Sequence, residues 1–374
     1  MRRLLGDDRG AVSAFIAMGM VVFLGAAAIS IDVGHVMNVR TESQRVADLA
    51  ALAGASAFID GTVGTAALQN TIESRATSFA GQNTVDRTSV TLPVGDIDID
   101  FANERVRVTV RHTTASGNAI PTIFARVLGI NSVDVVTTAV AEAYPAAGAK
   151  CILPFMLPDK YAENGGDPYR YDAPPDYYEA FDPDTQSPTA TGYTDADKGL
   201  QLVIKPSQGN TPAQPNPSWY YPLAIYKTGG SAYRDAIAGC IDPNAVFAIG
   251  DPVDVEPGAM IGPTQQGVNL LVAQAPTHEW SVANKCVIDG GPTGDPNICV
   301  GSPRLRPVPM MAPPDAPGNG RTTVPIMNWA GVFVEGMSGN DVVVRFAGYS
   351  GFAVATGGSG GGSGALPKLI RLVE

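Results

Sequence analysis

Residues Ala11 to Ile31 read AVSAFIAMGMVVFLGAAAISI, a run of 21 without one charged side chain. A helix rises about 1.5 Å per residue, so the run spans about 30 Å, the thickness of a bilayer's hydrocarbon core. Arg9 closes it on one side and Asp32 on the other. The pattern predicts a single transmembrane helix over 11–31, with everything after Asp32 on one side of the membrane. The competing reading is a cleaved secretory signal, whose apolar core is shorter, about 7–15 residues, and ends at small residues. Ala26-Ala27-Ala28 supply such a site. A buried core helix fits less well, because the run has no polar face.

Working outward, Arg2, Arg3 and Arg9 precede the run, and Arg40 and Arg45 follow it. That bias favours residues 1–10 in the cytoplasm and the body outside it. The formal charge is −11, from 25 basic and 36 acidic residues. A nucleic-acid partner would want a basic patch, so none is expected. Gly (42) and Pro (30) concentrate after Ala143, which favours short strands and ordered loops over helices there. Cys151, Cys240, Cys286 and Cys299 form an even set on the exported side, which suggests disulfides. Cys286 and Cys299 enclose the turn-rich VIDGGPTGDPNI, which favours Cys286–Cys299 and leaves Cys151–Cys240. Four buried free thiols are the alternative. The spacings lack the paired CxxC of a zinc site.

No proline interrupts residues 1–92, so helix is expected to run on from the span and end near Asp60-Gly61. Thr65–Phe79 reads as a second helix. Ser89–Val94, Asp96–Phe101 and Arg105–His112 read as strands. In the last, Val106, Val108 and Val110 alternate with Arg105, Arg107, Thr109 and Arg111. Pro121 opens a short helix, TIFARVLG, closed by Gly129. Ser132–Ala143 is a further strand. This predicts an α+β unit over 32–144, a hinge at 145–150, and a mainly-β domain over 151–374. In that domain Leu200–Lys205, Ala245–Ile249, Val324–Trp329, Gly331–Glu335 and Val342–Phe346 are strand candidates. GGSGGGSG at Gly357–Gly364 reads as a flexible stretch.

At these residues a resemblance can be stated. Arg9-Gly10, the apolar run, Asp32-Val33-Gly34 and ADLAALAGA at Ala47–Ala55 resemble the N-terminal segment of TadE/TadG-like proteins of Tad (tight adherence, Flp) pilus assembly. PTIFARVLGINSVDVVTTAVAEA at Pro121–Ala143 is similar to that family's extracytoplasmic unit. EPGAMIGPTQQGV at Glu256–Val268 and VPIMNWAGVFVEGMSG at Val324–Gly339 are similar to the distal region of TadG-related proteins. The resemblance implies a bitopic inner-membrane protein with a periplasmic body that acts in assembling or anchoring Flp-type pili. Its implied partners are other Tad membrane subunits or pilins, with a homo-oligomer as a further option. A surface adhesin or minor pilin within the filament is the alternative, and an anchored binding protein or enzyme a second. Two departures limit the carry-over. The chain has no DxSxS, so a metal-dependent adhesion site of the von Willebrand A type is not implied. Phe15 stands where prepilin-like members carry Glu, so prepilin processing is not expected.

Ser13, Ala17, Ala26 and Ser30 form small-xxx-small pairs, candidate positions for packing against another span. Asp32 is a candidate partner for a basic group on another subunit; the plainer reading is a solvated residue marking the water boundary. Asp251, Asp254 and Glu256 are oxygen donors of the kind calcium takes, but their spacing lacks the DxDxDG loop. His35, His112 and His278 are scattered, HExxH and GxxxxGK[ST] are missing, and GxSxG occurs only as part of the low-complexity GGSGGGSG. No catalytic residue, metal or cofactor is therefore expected. Tyr169, Tyr171, Tyr177, Tyr178 and Phe181, with Trp219-Tyr220-Tyr221 and Trp329, form either recognition surfaces or their own domain's packing.

Overall fold

The computed structural model describes residues 9–60, 65–146, 148–162, 177–179, 192–206, 218–296, 298–313, 322–348, 353–354 and 368–373. It is α+β and divides into two units. The first comprises Met1–Gly54, Asn70–Glu142 and Leu372–Glu374, and the second Ala55–Gln69 and Ala143–Arg371.

One unbroken helix covers Arg9–Ala55, 47 residues and about 70 Å at the standard rise. Its surroundings change sharply along its length. From Phe15 to Ile31 its large apolar side chains are exposed on every side. From Val39 onward a stripe is buried: Val39, Ser43, Val46, Ala47 and Ala50, at the three- and four-residue steps that share one helix face. The first unit's sheet accounts for the change. Ile97–Asp100, Arg105–His112 and Val135–Pro145 pair antiparallel, with Ile97 opposite Val108 and Val106 opposite Ala141. Val373 N–H donates to Val140 O (2.9 Å). The alternation read in Arg105–His112 holds: Val106, Val108 and Val110 are buried while Arg105, Arg107 and Arg111 face water. A second helix, Ala66–Gly81, joins this core. At Gly54 a Cβ would lie 3.0 Å from Val106 Cγ1 and 3.4 Å from Ile72 Cγ2, so glycine allows the long helix to meet sheet and helix together.

Two expectations in this unit need correction. Ser89–Val94 is not a strand: Thr88–Ser89 makes a two-residue hairpin with Thr84–Val85, and Val94–Asp96 is a 3-10 turn after Pro93. The short helix expected after Pro121 is only a 3-10 turn, Ala125–Leu128, because Pro121 itself pairs with Ser132 in a small ladder. Gly129 closes that turn in the left-handed region (φ 86°), as its position implied.

The second unit is built on a closed six-stranded barrel. Its order is Gln201–Pro206, Trp219–Pro222, Phe155–Pro158, Leu305–Met311, Asn328–Ser338 and Asp341–Phe346, the last pairing back to the first. Closure removes free edges. Phe155, Leu157, Ile204, Tyr220, Val308, Met310, Val332 and Val344 share one core with helices Gly230–Ala238 and Ile261–Ala273. Met156, Tyr221, Met311 and Trp329, the alternate residues of the same strands, fill a second core with Val253 and Val324. Those two helices correct the strands-and-loops expectation. Pro263 sits in the first turn of its helix, where a missing N–H costs nothing. Cys151 pairs with Cys240 and Cys286 with Cys299, the arrangement the sequence favoured. Gly357–Gly364 lies outside the described residues.

Candidate interaction site at the end of the apolar helix

The apolar helix presents its candidate packing residues openly. Ser13, Ala17, Ala26 and Ser30 are all exposed, and Ser30 Oγ donates to Ala26 O (2.8 Å) within the helix. At about 100° per residue, the Ser13/Ala17 pair and the Ala26/Ser30 pair point about 140° apart. They therefore do not form one seam but two separate small-residue patches.

Asp32 overturns its sequence reading. It is not solvated: only 5% of its surface is exposed. Its carboxylate accepts three backbone N–H groups, from Ile123 (2.8 Å), Phe124 (2.9 Å) and Ala125 (2.5 Å). These N–H groups open the Ala125–Leu128 turn, where the backbone has donors without acceptors of its own. The anion thus caps a loop 91 residues distant in sequence. Its partners here are backbone donors from its own unit.

The rest of that loop is tied internally. Thr122 N–H donates to Asn131 O (3.1 Å) and Thr122 Oγ1 to Ile130 O (2.5 Å). Arg126 Nε and Nη2 both donate to Thr122 O (3.0 and 2.6 Å). Ile130 N–H returns to Ala125 O (3.1 Å). With the backbone so occupied, the side chains turn outward: Val127 is 86% exposed and Leu128 67%, and Ile123, Phe124 and Ile130 are exposed as well.

The apolar run, the buried Asp32 carboxylate and the buried stripe from Val39 onward lie on a single helix, and that helix can be compared with known families. Residues 10–57 match the family model for putative Flp pilus-assembly TadE/G-like proteins. This helix is similar to the TadE/G-like segment. The match takes in the whole apolar run, Asp32 and the buried Val39–Ala50 stripe, and it stops before the barrel. No curated protein and no solved structure matches the chain. The helix fits a single-pass membrane anchor, and the two disulfides of the body fit an oxidising, extracytoplasmic compartment.

Elsewhere the polar groups serve packing. Asp251 accepts Ala248 N–H (2.7 Å), Asp254 accepts the Thr323 hydroxyl (2.7 Å), and Glu256 accepts Gly229 N–H. The three carboxylates face different partners, and among the described residues no group of three His, Cys, Asp or Glu converges as a metal site would. His35 Nε2 lies 3.6 Å from Asp86, and burial pushes the His112 imidazole below its usual range. A groove of about 310 Å³ on the sheet's outer face mixes Asp98 and Asp100 with Arg105 and Arg107, so it carries no field of one sign. Tyr220, Tyr221 and Trp329 are core rings. Tyr178 O–H reaches Asp159 (3.3 Å), Tyr177 is exposed, and Tyr169, Tyr171 and Phe181 lie outside the described residues.

Sequence reasoning missed the buried charges of the second unit. Asp159 is fully enclosed and accepts Lys160 N–H (2.9 Å), Tyr193 N–H (2.8 Å) and Asn328 Nδ2 (3.0 Å). Burial pushes its carboxyl up to about 6 despite those donors. Asp195 sits between Lys198 (3.3 Å) and Lys368, and Lys160 pairs with Asp197 (2.6 Å). In the sequence, DADK at Asp195–Lys198 looks like any solvated turn. Only the fold reveals its burial.

Proposed function

We propose that the protein is a non-enzymatic structural component of the Flp (Tad) pilus-assembly machine, anchored in the inner membrane by residues 11–31. Residues 1–10 lie in the cytoplasm, and both units lie in the periplasm. The observation that carries this reading is the TadE/G-like match over residues 10–57, because it falls on the one helix among the described residues that is long and apolar enough to cross a bilayer. The arginines before the span and the disulfide-bonded body support the orientation. The two exposed small-residue patches offer lipid-buried contacts to other membrane subunits, to a pilin or to a second copy. In vivo crosslinking of the tagged full-length protein, followed by identification of its adducts, tests the reading. Adducts with pilus-assembly membrane subunits are expected. Recovery only in sheared filaments would replace the reading with that of a minor pilin or adhesin.

A further inference from the structure

The loop latched to Asp32 carries a surface that a soluble protein would hide. Ile123, Phe124, Val127, Leu128 and Ile130 are exposed, while the amides of Ile123, Phe124, Ala125, Val127 and Ile130 are hydrogen-bonded. Contiguous exposed apolar patches mark contacts with other molecules. The hydrogen bonds fix where this one lies. Asp32 directly follows Ile31, the last residue of the apolar run, and helical side chains lean toward their own N-terminus. The Asp32 carboxylate therefore points back toward the span, and the backbone of Ile123, Phe124 and Ala125 is one hydrogen bond beyond it. The apolar loop is continuous with the apolar helix at the depth where that helix leaves the hydrocarbon.

We propose that Ile123–Ile130 is an interfacial membrane-contact element, seated at the boundary of headgroups and acyl chains in the leaflet where the helix emerges. Apolar side chains lying in that plane gain burial while polar backbone stays paired, the arrangement of monotopic membrane elements. Arg126, exposed on the same turn, is placed for headgroup phosphates. Asp32 sets the depth. An anion at the hydrocarbon edge is costly unless satisfied, and three N–H donors satisfy it. The latch thus serves both sides: the loop hides the charge, and the charge holds the loop against the bilayer.

The inference rests on residues 11–31 spanning the membrane, and the test separates the two. The full-length protein is reconstituted in vesicles of phosphatidylethanolamine and phosphatidylglycerol carrying a tritiated lipid. The photoreactive residue p-benzoylphenylalanine replaces Leu128, Phe23 or Asn103 in turn. All three are exposed, so none of the replacements disturbs a buried core. Asn103 lies in the turn before Arg105, beside the Val106 that meets Gly54, about 33 Å along the helix from Asp32. Lipid adducts at Leu128 comparable to those at Phe23, with background at Asn103, are expected. Labelling at Phe23 with background or protein adducts at Leu128 would overturn the interfacial loop and leave the span intact. Background at Phe23 would overturn the span, and the inference with it.

Discussion

Removal of the Cys151–Cys240 bridge in a Cys151→Ala, Cys240→Ala variant offers a quantitative test of the second unit. The bridge joins residues 89 apart, and the Cys286–Cys299 bridge joins residues 13 apart. Chain-entropy arithmetic on those loops gives about 4.6 and about 2.9 kcal/mol of stabilisation, a difference of about 1.7 kcal/mol. At a urea slope of about 2 kcal/mol/M, the midpoint falls by about 2.3 M without the long-loop bridge and about 1.5 M without the short one. All three tryptophans, Trp219, Trp280 and Trp329, lie in the second unit, so their fluorescence reports its unfolding alone. The assay is urea unfolding of the full-length protein in detergent, read at tryptophan. Equal midpoints for the two variants, or a larger loss without the short-loop bridge, would refute the entropic account and shift the explanation to local packing at Cys286.

Other predictions follow from single contacts. Asp159 has a folded pKa of about 6, above its ordinary 3.8, so its contribution is fully present below pH ~4 and lost as pH rises through about 6. The loss is on the order of 3 kcal/mol. Asp159→Asn should flatten the second unit's pH dependence between those values, and a slope unchanged from wild type in urea midpoints would contradict it. Asp32→Ala should speed hydrogen exchange at the Ile123, Phe124 and Ala125 amides and leave those of Val106 and Val108 slow, by mass spectrometry; unchanged exchange would dispose of the latch. Within one helix, Gly267→Ala should destabilise by about 1–3 kcal/mol, because its Cβ would lie 2.7 Å from Ile237 Cβ and 2.8 Å from Arg234 O. Gly262→Ala, with no other neighbour within 4 Å, should be close to neutral, because the helix propensity gained is offset by crowding of the new Cβ against Pro263. A reversed order of the two melting temperatures would refute the packing argument.

The parts of the fold legible in the sequence are those written in local pattern. The uncharged run of 11–31, the alternation of Arg105–His112 and the glycine closing a turn at Gly129 depend on neighbours within a few residues. The barrel does not. Gln201–Pro206 pairs with Asp341–Phe346 across a long stretch of chain. Phe155–Pro158 is buried on both faces and so shows no period. Leu305–Met311 carries Pro307 and Pro309, which argue against a central strand. The structure resolves that conflict. Pro307 O accepts Leu153 N–H (2.9 Å), so the proline nitrogen faces that side, away from the ladder with Asn328–Ser338. For the candidate site, the apolar helix was visible and its latch was not. Nothing local ties Asp32 to Ile123, and the rule that a charge beside the bilayer sits in water failed because three backbone donors replaced the water.

The central claim, a structural role in Flp pilus assembly, is tested most directly by a clean deletion in the parent organism, with surface filaments counted by electron microscopy. The account predicts that filaments are lost and are restored by a plasmid copy of the full-length chain. Filaments unchanged in number and length would contradict it.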